Sequence, residues 1–597
     1  MGSPEQIYQS RVEQLEREIK TLRVRFTYIY LLRFVSFIAA FAFVVLSISD
    51  FGFLYLALML LCFVWFGMLV RLDARAWSRM KYLKAKLEIN NNELRILSGD
   101  FAFRPQGDEY AAIDNHLTAD FDIVGKGSMF SYLNRTVTKL GERLFAENLC
   151  RAELNRERIL ERQQAIEELG EKIEFVQDFQ VYGSYFEESQ GELDSVFGWA
   201  SKPDKHLSRM RFFSAVAPLI VVVSLVLICL GIMPAQFIVV PCVMNLIFVA
   251  VNMSIINKGH AGLNRITKVI RKYTTLITLI EQQDFKSEYS NKVKQNLYHD
   301  NVSASSLSER LFKLLNMFDA RANIIVLLVF NSLFAFDIQM YYRLARWKQS
   351  QGGYLKQWFE TIAEFDSLMG LGVFGFNNAA HTVIPKLSDI EFGIEAKALA
   401  HPLMKHDSSV SNDISISKSP AVIIITGANM AGKSTFLRTM ATNLILAMNG
   451  ARVCAKEFTF APANILSSIK IQDSLLKSES YFYAEISRLK DIVERVGQGE
   501  RTLVVLDEIL RGTNNKDKQQ GSLGLLQKLI QKNAIVMVAT HDLVIGELET
   551  QFPDIARNYC FEVELDDDKL VFDYKLKNGV SQKLNASFLL KKMGLIN

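Results

Sequence analysis

The sequence has no paired cysteines. Its six, Cys62, Cys150, Cys229, Cys242, Cys454 and Cys560, stand singly, with neither a CxxC pair nor a zinc-type spacing. That excludes a disulfide scaffold and points to a reducing compartment. Charge of one sign is not in excess either. Lys and Arg number 68 against 64 Asp and Glu, a net charge of +4, so any nucleic-acid surface must be local rather than a property of the whole chain. Tandem repeats and low-complexity tracts are absent. With 49% hydrophobic and 22% charged residues, a disordered or collagenous chain is excluded, and 597 residues suffice for about three or four domains.

The apolar residues, 41 Phe among them, are unevenly spread. Four runs stand out: Leu31 to Ile48, broken near its start by Arg33; Phe51 to Val70, without charge; Phe212 to Gly231; and Ile232 to Ile256. Each approaches the ~20 residues that a helix needs to cross ~30 Å of hydrocarbon. Ser49 and Asp50 separate the first pair, and Gly231, Met233 and Pro234 mark the second turn. Asn245 and Asn252 are the most expensive residues to bury, and a partner helix could satisfy their amides. Basic residues bracket each pair: Arg17, Lys20, Arg23 and Arg25 precede the first, Arg71, Arg75, Arg79 and Lys81 follow it, and Lys202, Lys205, Arg209 and Lys258 flank the second. The turns have no Lys or Arg. The positive-inside rule therefore predicts two hairpins in the inner (cytoplasmic) membrane, with every polar region in the cytoplasm. The competing reading is four buried helices of a soluble core, which rarely stay uncharged for so long. The first run starts too late for a cleaved signal peptide, and a second follows at once. A fifth stretch, Ile324 to Phe336, is shorter, carries Asn331 and Ser332 and runs into Asp337, so it reads as a buried soluble helix.

The expected architecture is multidomain: transmembrane helical hairpins, an all-α core with lever-like helices, and a C-terminal α/β domain. Residues 1–120 hold a short amphipathic helix (5–25) and the first hairpin (31–48 and 51–70); 121–211 form the first part of the helical core; 212–256 the second hairpin; 257–389 the second part of the core; and 390–597 the α/β domain, where short β-rich runs alternate with helical stretches.

That last domain carries the chemistry. Gly427-Ala428-Asn429-Met430-Ala431-Gly432-Lys433-Ser434 satisfies G-x-x-x-x-G-K-[ST], with a predicted strand before it and a helix after it. The loop N–H groups can cradle phosphates, Lys433 reaches the β- and γ-phosphates, and Ser434, with Thr435 beside it, can ligate Mg2+. The alternative is a plain glycine turn. The run Thr502 to Leu506 ends in Asp507-Glu508; Asp507 suits the Mg2+ shell and Glu508 the polarising of water. Ile535 to Thr540 ends in His541-Asp542, which places His541 at a third strand end, where α/β sheets bind ligands.

These residues resemble one family. Thr426 to Thr435, with its Asn-Met pair, is similar to the phosphate loop of MutS, the DNA mismatch-repair ATPase family. Asp507-Glu508-Ile509-Leu510-Arg511-Gly512-Thr513, Ala539-Thr540-His541, His401-Pro402-Leu403 with Asn412-Asp413, and Tyr574-Lys575-Leu576 with Gly579 resemble further segments of its ATPase. Upstream, Leu133-Asn134-Arg135-Thr136-Val137-Thr138 with Gly141, Glu161 to Ile166, and Ile362-Ala363-Glu364-Phe365-Asp366 resemble its core and lever helices. The resemblance implies an ABC-type ATPase that binds ATP and Mg2+ and works as a homodimer. It also implies that Ser480, at the start of Ser480-Tyr481-Phe482-Tyr483-Ala484-Glu485, completes the partner's site; otherwise Ser480 is an N-cap.

The departures bear on substrate. About 120 residues stand where the family has its mismatch-reading and connector domains, and the second hairpin falls where a DNA clamp normally interrupts the levers. Two strings, Phe145-Ala146-Glu147 and Phe186-Glu187-Glu188, fit the mismatch wedge F-x-E but lie in helical core sequence. The expected function is ATP hydrolysis coupled to mismatched or branched DNA. Two others compete with it: an ATP-switched membrane scaffold with a protein partner, and an ABC transporter, against which stands the absence of an L-S-G-G-Q string.

Overall fold

The computed structural model describes residues 2–49, 53–151, 153–260, 263–319, 321, 323, 326–388, 393–405, 408–470, 481–496, 501–566 and 569–581. The chain opens with two very long antiparallel helices, α1 (Pro4–Ser49) and α2 (Phe53–Leu97). The expected short amphipathic helix does not stand apart from the first apolar run. No glycine or proline interrupts the sequence between them, and α1 continues through both. The outer halves of α1 and α2 expose large apolar side chains: Phe34 and Phe41 are 64% and 65% exposed, and Leu61 66%. The inner halves bury Leu15, Ile19, Phe26, Met80 and Leu83 between them. Arg33, the charge inside the first run, is paired with Asp73 of α2 at 2.5 Å.

The helical core follows, with α3 (Lys139–Cys150), α4 (Arg156–Glu171) and α5 (Ile173–Gly183). A second antiparallel pair interrupts it, α6 (Leu207–Cys229) and α7 (Val239–His260), and its turn includes Gly231 and Pro234 as expected. With α1 and α2 they make four helices long and apolar enough to cross a membrane, by length and composition. The core resumes with α8 (Leu263–Gln282), α9 (Phe336–Gln351) and α10 (Leu355–Asn377).

The fifth apolar stretch differs from expectation. It is no buried helix: Leu328, Val329, Phe330 and Phe334 are 43–54% exposed. A turn of π-helix, Val326–Phe330, leads into a short helix, Asn331–Phe334, that lies against α7. There the carbonyls of Ser332 and Leu333 accept the Asn245 amide at 3.0 and 3.3 Å. This turn thus takes up the Asn245 NH2, while the Asn245 Oδ1 stays buried without a partner, and the Asn252 amide donates to Phe248 of its own helix rather than to a partner.

Helix α10 is the centre of the core. It packs on α3 and α4, is buried along most of its length, and carries a buried carboxylate, Asp366. The backbone N–H of Val137 donates to both Asp366 oxygens at 3.1 Å, and the Thr138 N–H and hydroxyl donate to Oδ2 at 2.8 and 2.6 Å. These are the orphan donors where the chain turns into α3. Gly141 lies so close that a Cβ there would sit 2.8 Å from Asp366 Cβ, hence the glycine. A second network binds the first hairpin to α10. Tyr8 donates to Asn377 Oδ1 at 2.8 Å, Asn377 donates to Glu93 at 2.8 Å, and Glu93 pairs with Arg135 at 2.5 Å, with both charged groups almost fully buried. Single truncations in such a network leave an unpaired charge.

The C-terminal domain contains two sheets. β1 (Lys386–Leu387), β2 (Ile394–Leu399), β3 (Asn412–Ile416) and β5 (Glu457–Phe460) form the smaller, in the order β1-β5-β2-β3. The larger contains β4 (Ala421–Gly427), β6 (Asn464–Ser468), β7 (Thr502–Asp507), β8 (Ile535–Thr540), β9 (Ala556–Asp566) and β10 (Lys569–Asn578), in the order β10-β9-β4-β8-β7-β6. All pairs in it are parallel except β9 with the edge strand β10. Its central strands are buried at every residue, as a sheet covered on both faces requires. Helices α11 (Lys433–Met448), α12 (Tyr481–Val496) and α13 (Asn515–Gln531) complete the domain.

The Asp366 contact can be tested. Asp366→Ala should lower stability by about 1–3 kcal/mol, the range for a lost cap with buried donors left unpaired. Thermal melts of the purified chain read this. Burial pushes the Asp366 carboxyl up to about 7 against an ordinary value of 3.8. A raised folded-state value means the group's contribution is complete below the unfolded value and fades as pH rises, here from about 4 to about 7. Asp366→Asn should flatten that slope.

Candidate functional site

Three neighbouring parallel strands, β4, β8 and β7, end side by side, and the three sequence motifs sit on those ends. After β4 the chain swings through Gly427 (φ 146°), where a Cβ would fall 2.5 Å from the Phe561 carbonyl, and through Gly432 (φ 107°) into α11. The free N–H groups of the α11 start and its dipole favour an anion at this point. Lys433 is 5% exposed, and its Nζ donates to the carbonyls of Gly427 and Ala428 at 2.8 Å each. No carboxylate holds it in an ion pair among the described residues. Met430, at the loop tip, is 84% exposed.

Asp507 lies at the end of β7, with a hydrogen bond from Ser434 and its carboxyl raised above the usual range by burial. Its Oδ1 is buried without a hydrogen-bond partner. An orphaned carboxylate oxygen beside a serine hydroxyl and a phosphate loop fits a hard divalent cation, so the residues present suit Mg2+. Glu508 and His541 come together: His541 Nε2 is 2.5 Å from Glu508 Oε1 and 2.6 Å from Asn429 Oδ1. Glu508 also pairs with Arg511 at 3.2 Å. The His541 hydrogen bond, followed by the Arg511 charge, holds the Glu508 carboxyl down to about 2. Its backbone takes φ 48°, and Leu510 takes φ 60°, left-handed conformations that such residues adopt only under constraint.

The constraint on this turn comes from α12. Glu485, 1% exposed, accepts the Leu510 N–H at 2.6 Å. One turn later Arg488 donates to the Ser467 carbonyl at 2.8 Å and pairs with the buried Asp120. Asp120 also accepts the N–H groups of Ile469 and Lys470 at 3.1 and 2.8 Å. Ser480 lies outside the described residues.

Beside the phosphate loop is a cavity of about 400 Å³, within the range of small-molecule sites. Lys433, Ser434, Thr435 and Glu508 line one end, and His401, Met404, Phe561 and Tyr574 line other parts of it. His401 is held down to about 4, chiefly by burial, and so presents a neutral ring. Asn412 ties β3 to β10, giving its amide to the Tyr574 carbonyl at 3.0 Å and accepting the Leu576 N–H at 2.8 Å.

The structure therefore brings together Gly427 to Thr435, Asp507, Glu508 and His541, all expected from sequence. Sequence reading left Arg511 and Glu485 without roles. Arg511 had a signal, an acid–base pair three residues apart. Glu485 had only its place in a motif, because nothing local shows that its partner is a backbone N–H 25 positions on. The two F-x-E strings prove structural: Phe145 is buried in the core, and the Phe186 carbonyl accepts Lys272 Nζ at 3.1 Å.

Comparison with known proteins agrees with this geometry. The family profile described as MutS domain V matches residues 423–591, and that described as MutS domain III matches 113–195. The DNA mismatch repair protein MutS of Persephonella marina is 31% identical over 208 residues, covering 34% of this chain and 24% of that protein. The DNA mismatch repair protein MSH3 of Lodderomyces elongisporus is 33% identical over 198 residues, 32% of this chain and 20% of that protein. The Endonuclease MutS2 of Listeria innocua is 28% identical over 236 residues, 39% and 29% respectively. The chain thus spans only 20–29% of the length of these relatives. MutS domain V is an ATPase domain, so this chain joins a region similar to MutS domain III with a C-terminal ATPase domain similar to MutS domain V.

Proposed function

We propose that the chain is a membrane-anchored ATPase that hydrolyses Mg2+-bound ATP and couples the cycle to mismatched or branched DNA at the inner face of the cytoplasmic membrane. The observation that carries the ATPase assignment is the convergence of Lys433, Ser434, Asp507, Glu508 and His541 at adjacent ends of one parallel sheet. ATP phosphates would take the place of the Gly427 and Ala428 carbonyls as partners of Lys433. Ser434 and Asp507 would hold Mg2+, which when bound supplies positive charge against the β- and γ-phosphate oxygens. Glu508 orients a water whose oxygen bonds to the γ-phosphorus as the bond to the β–γ bridging oxygen breaks, and ADP and phosphate leave. In the resting geometry Glu508 is held by His541 and Arg511, so it must be released before it can act.

The exposed loop tip at Met430 leaves this wall open to solvent, where positioned charges are weak. Ser480 of a second copy would close it in a homodimer.

The DNA assignment rests on the family and on the mismatch-repair names of the relatives. A second reading, an ATP-switched scaffold with a protein partner, is favoured by one observation: an apolar hairpin, α6–α7, stands where a polar DNA clamp would be needed. Salt-dependent binding to duplex or branched DNA, with DNA-stimulated phosphate release, selects the first reading.

Lys433→Ala and Glu508→Gln should each slow phosphate release by about 10²-fold or more. Glu508→Gln should retain ATP on a filter while Lys433→Ala does not. Normal rates in both variants would remove the assignment.

Single cysteines placed at Ser49 and Ala235 in a cysteine-free chain should react with an impermeant thiol reagent from outside the membrane, and one at Ser201 only from the cytoplasm. Reaction of the two turns from the cytoplasm would overturn the topology.

Lys433→Ala chains mixed with Ser480→Arg chains should recover part of the activity that each lacks alone, because a mixed dimer keeps one complete site. Absence of recovery, with mixed dimers demonstrated, would mean that Ser480 does not act across the interface.

A further inference from the structure

At the base of the α6–α7 hairpin is a cavity of about 310 Å³ that the ATPase chemistry does not use. Three lysines, Lys202, Lys258 and Lys348, line it together with Asp204, Trp199 and Tyr341. They come from three places: the segment leading into α6, the last turns of α7, and α9.

Several lysines elsewhere in the helical core are paired with carboxylates. Lys86 pairs with Glu174 and Asp178, Lys139 with Glu109 and Glu142, and Lys272 with Glu188. Among the described residues, none of the three cavity lysines is in an ion pair. The one carboxylate present is already engaged: Asp204 Oδ2 accepts the Tyr341 hydroxyl at 2.7 Å, and Oδ1 accepts the His206 N–H at 2.9 Å. Lys348 lies over the Trp199 ring at 5.7 Å, and burial, with Lys202 as a like charge nearby, holds its ammonium below the usual lysine range. The floor is rigid, because the Tyr341 ring packs so closely on α7 that a Cβ on Gly259 would sit 2.5 Å from it. The cavity thus sets three ammonium groups against one carboxylate, an excess of positive charge.

The depth of the cavity says which anion. Lys258 stands two positions after Ile256, the last apolar residue of α7 before it, and His206 precedes Phe212 by six positions, about 9 Å of helix. Lysines at that level, beside a Trp and a Tyr, meet a bilayer at its headgroups. We propose that this cavity binds the phosphate of an anionic phospholipid headgroup in the cytoplasmic leaflet. The proposal rests on the membrane reading of α6 and α7. A phosphodiester would accept from the three ammonium groups, while the acyl chains would run along the exposed apolar faces of α6 and α7, where Phe212 and Val251 are 62% and 63% exposed.

The test uses the full chain purified in a neutral detergent, with bound lipid counted by native mass spectrometry. The probes are phosphatidylglycerol, phosphatidylcholine with the same acyl chains, and inorganic phosphate. Phosphatidylglycerol should bind the native chain about tenfold or more tightly than it binds Lys202→Gln/Lys258→Gln/Lys348→Gln, and phosphatidylcholine should bind both alike. Equal phosphatidylglycerol binding by the two chains overturns the proposal. Binding of inorganic phosphate as tightly as the lipid would make this a free-anion site and overturn the lipid assignment. Should the triple variant fail to fold, Lys348→Gln alone, checked by unchanged basal phosphate release, should still lose part of the preference; no loss overturns the proposal. Membrane failure is read separately: native chain recovered in the supernatant of a detergent-free lysate overturns the membrane reading, whereas the lipid arms report on the cavity itself.

Discussion

The fold depends on one buried carboxylate meeting one helix start. Asp366 sits on α10, a helix enclosed on nearly every side, and receives three donors from Val137 and Thr138 where α3 begins. A helix with so little polar surface has no preferred rotation of its own, since hydrophobic burial is not directional. The hydrogen bonds to Asp366 supply that direction. With the rotation set, Gly141 and Gly370 can bring backbone against α10, and Asn377 at its far end meets Tyr8 and Glu93. The first hairpin, the helical core and the lead into the α/β domain are thus positioned from one helix.

A second constraint shapes the apolar half of the molecule. Exposed apolar surface is carried mostly by long helices, which pair their backbone polar groups internally. The four long helices obey this, and their polar members are handled one at a time. Arg33 is neutralised by Asp73 across the first pair, and the NH2 of Asn245 donates to two carbonyls of the Asn331–Phe334 turn. That turn has exposed apolar residues on its outside and a polar contact to α7 on its inside, unlike a buried core helix.

Much of the α/β domain was legible from sequence because its signals are local. A phosphate loop, a strand ending in Asp-Glu and a strand ending in His each lie within about ten residues, and parallel strands place their ends together. The hairpins were legible by length and lack of charge. What escaped was non-local. Nothing near Asp366 indicates that Thr138, 228 positions away, is its partner, although both lie in segments that resemble one family. The continuity of α1 through residues 5–49 was hidden by a change from amphipathic to apolar composition, which alters the surroundings of a helix without ending it. The Ile324 to Phe336 stretch was misread because composition does not separate a buried helix from a short apolar segment lying on another helix, and the distinguishing contact to Asn245 lies 87 residues away.

The resting geometry of the nucleotide site has a mechanical consequence. Glu508 is held by His541 on one side and Arg511 on the other, and its turn is fixed by Glu485 through the Leu510 N–H. Any ligand that draws Arg511 or His541 toward phosphate frees the carboxylate and relaxes a turn that already contains two left-handed residues. Such strain persists only where the surroundings hold the turn, here through the ion pairs of Glu508 and the contact to Glu485. One helical turn on from Glu485, Arg488 is fastened to Asp120, in the segment that leads into the helical core. That segment in turn supplies Arg104, which donates to the Asn134 carbonyl beside the Glu93–Arg135 pair and Asn377. The path from the Glu508 turn to the first hairpin therefore runs from partly exposed ion pairs at the nucleotide site to buried ones at Arg488–Asp120 and Glu93–Arg135, and a buried polar contact is expensive to leave half made.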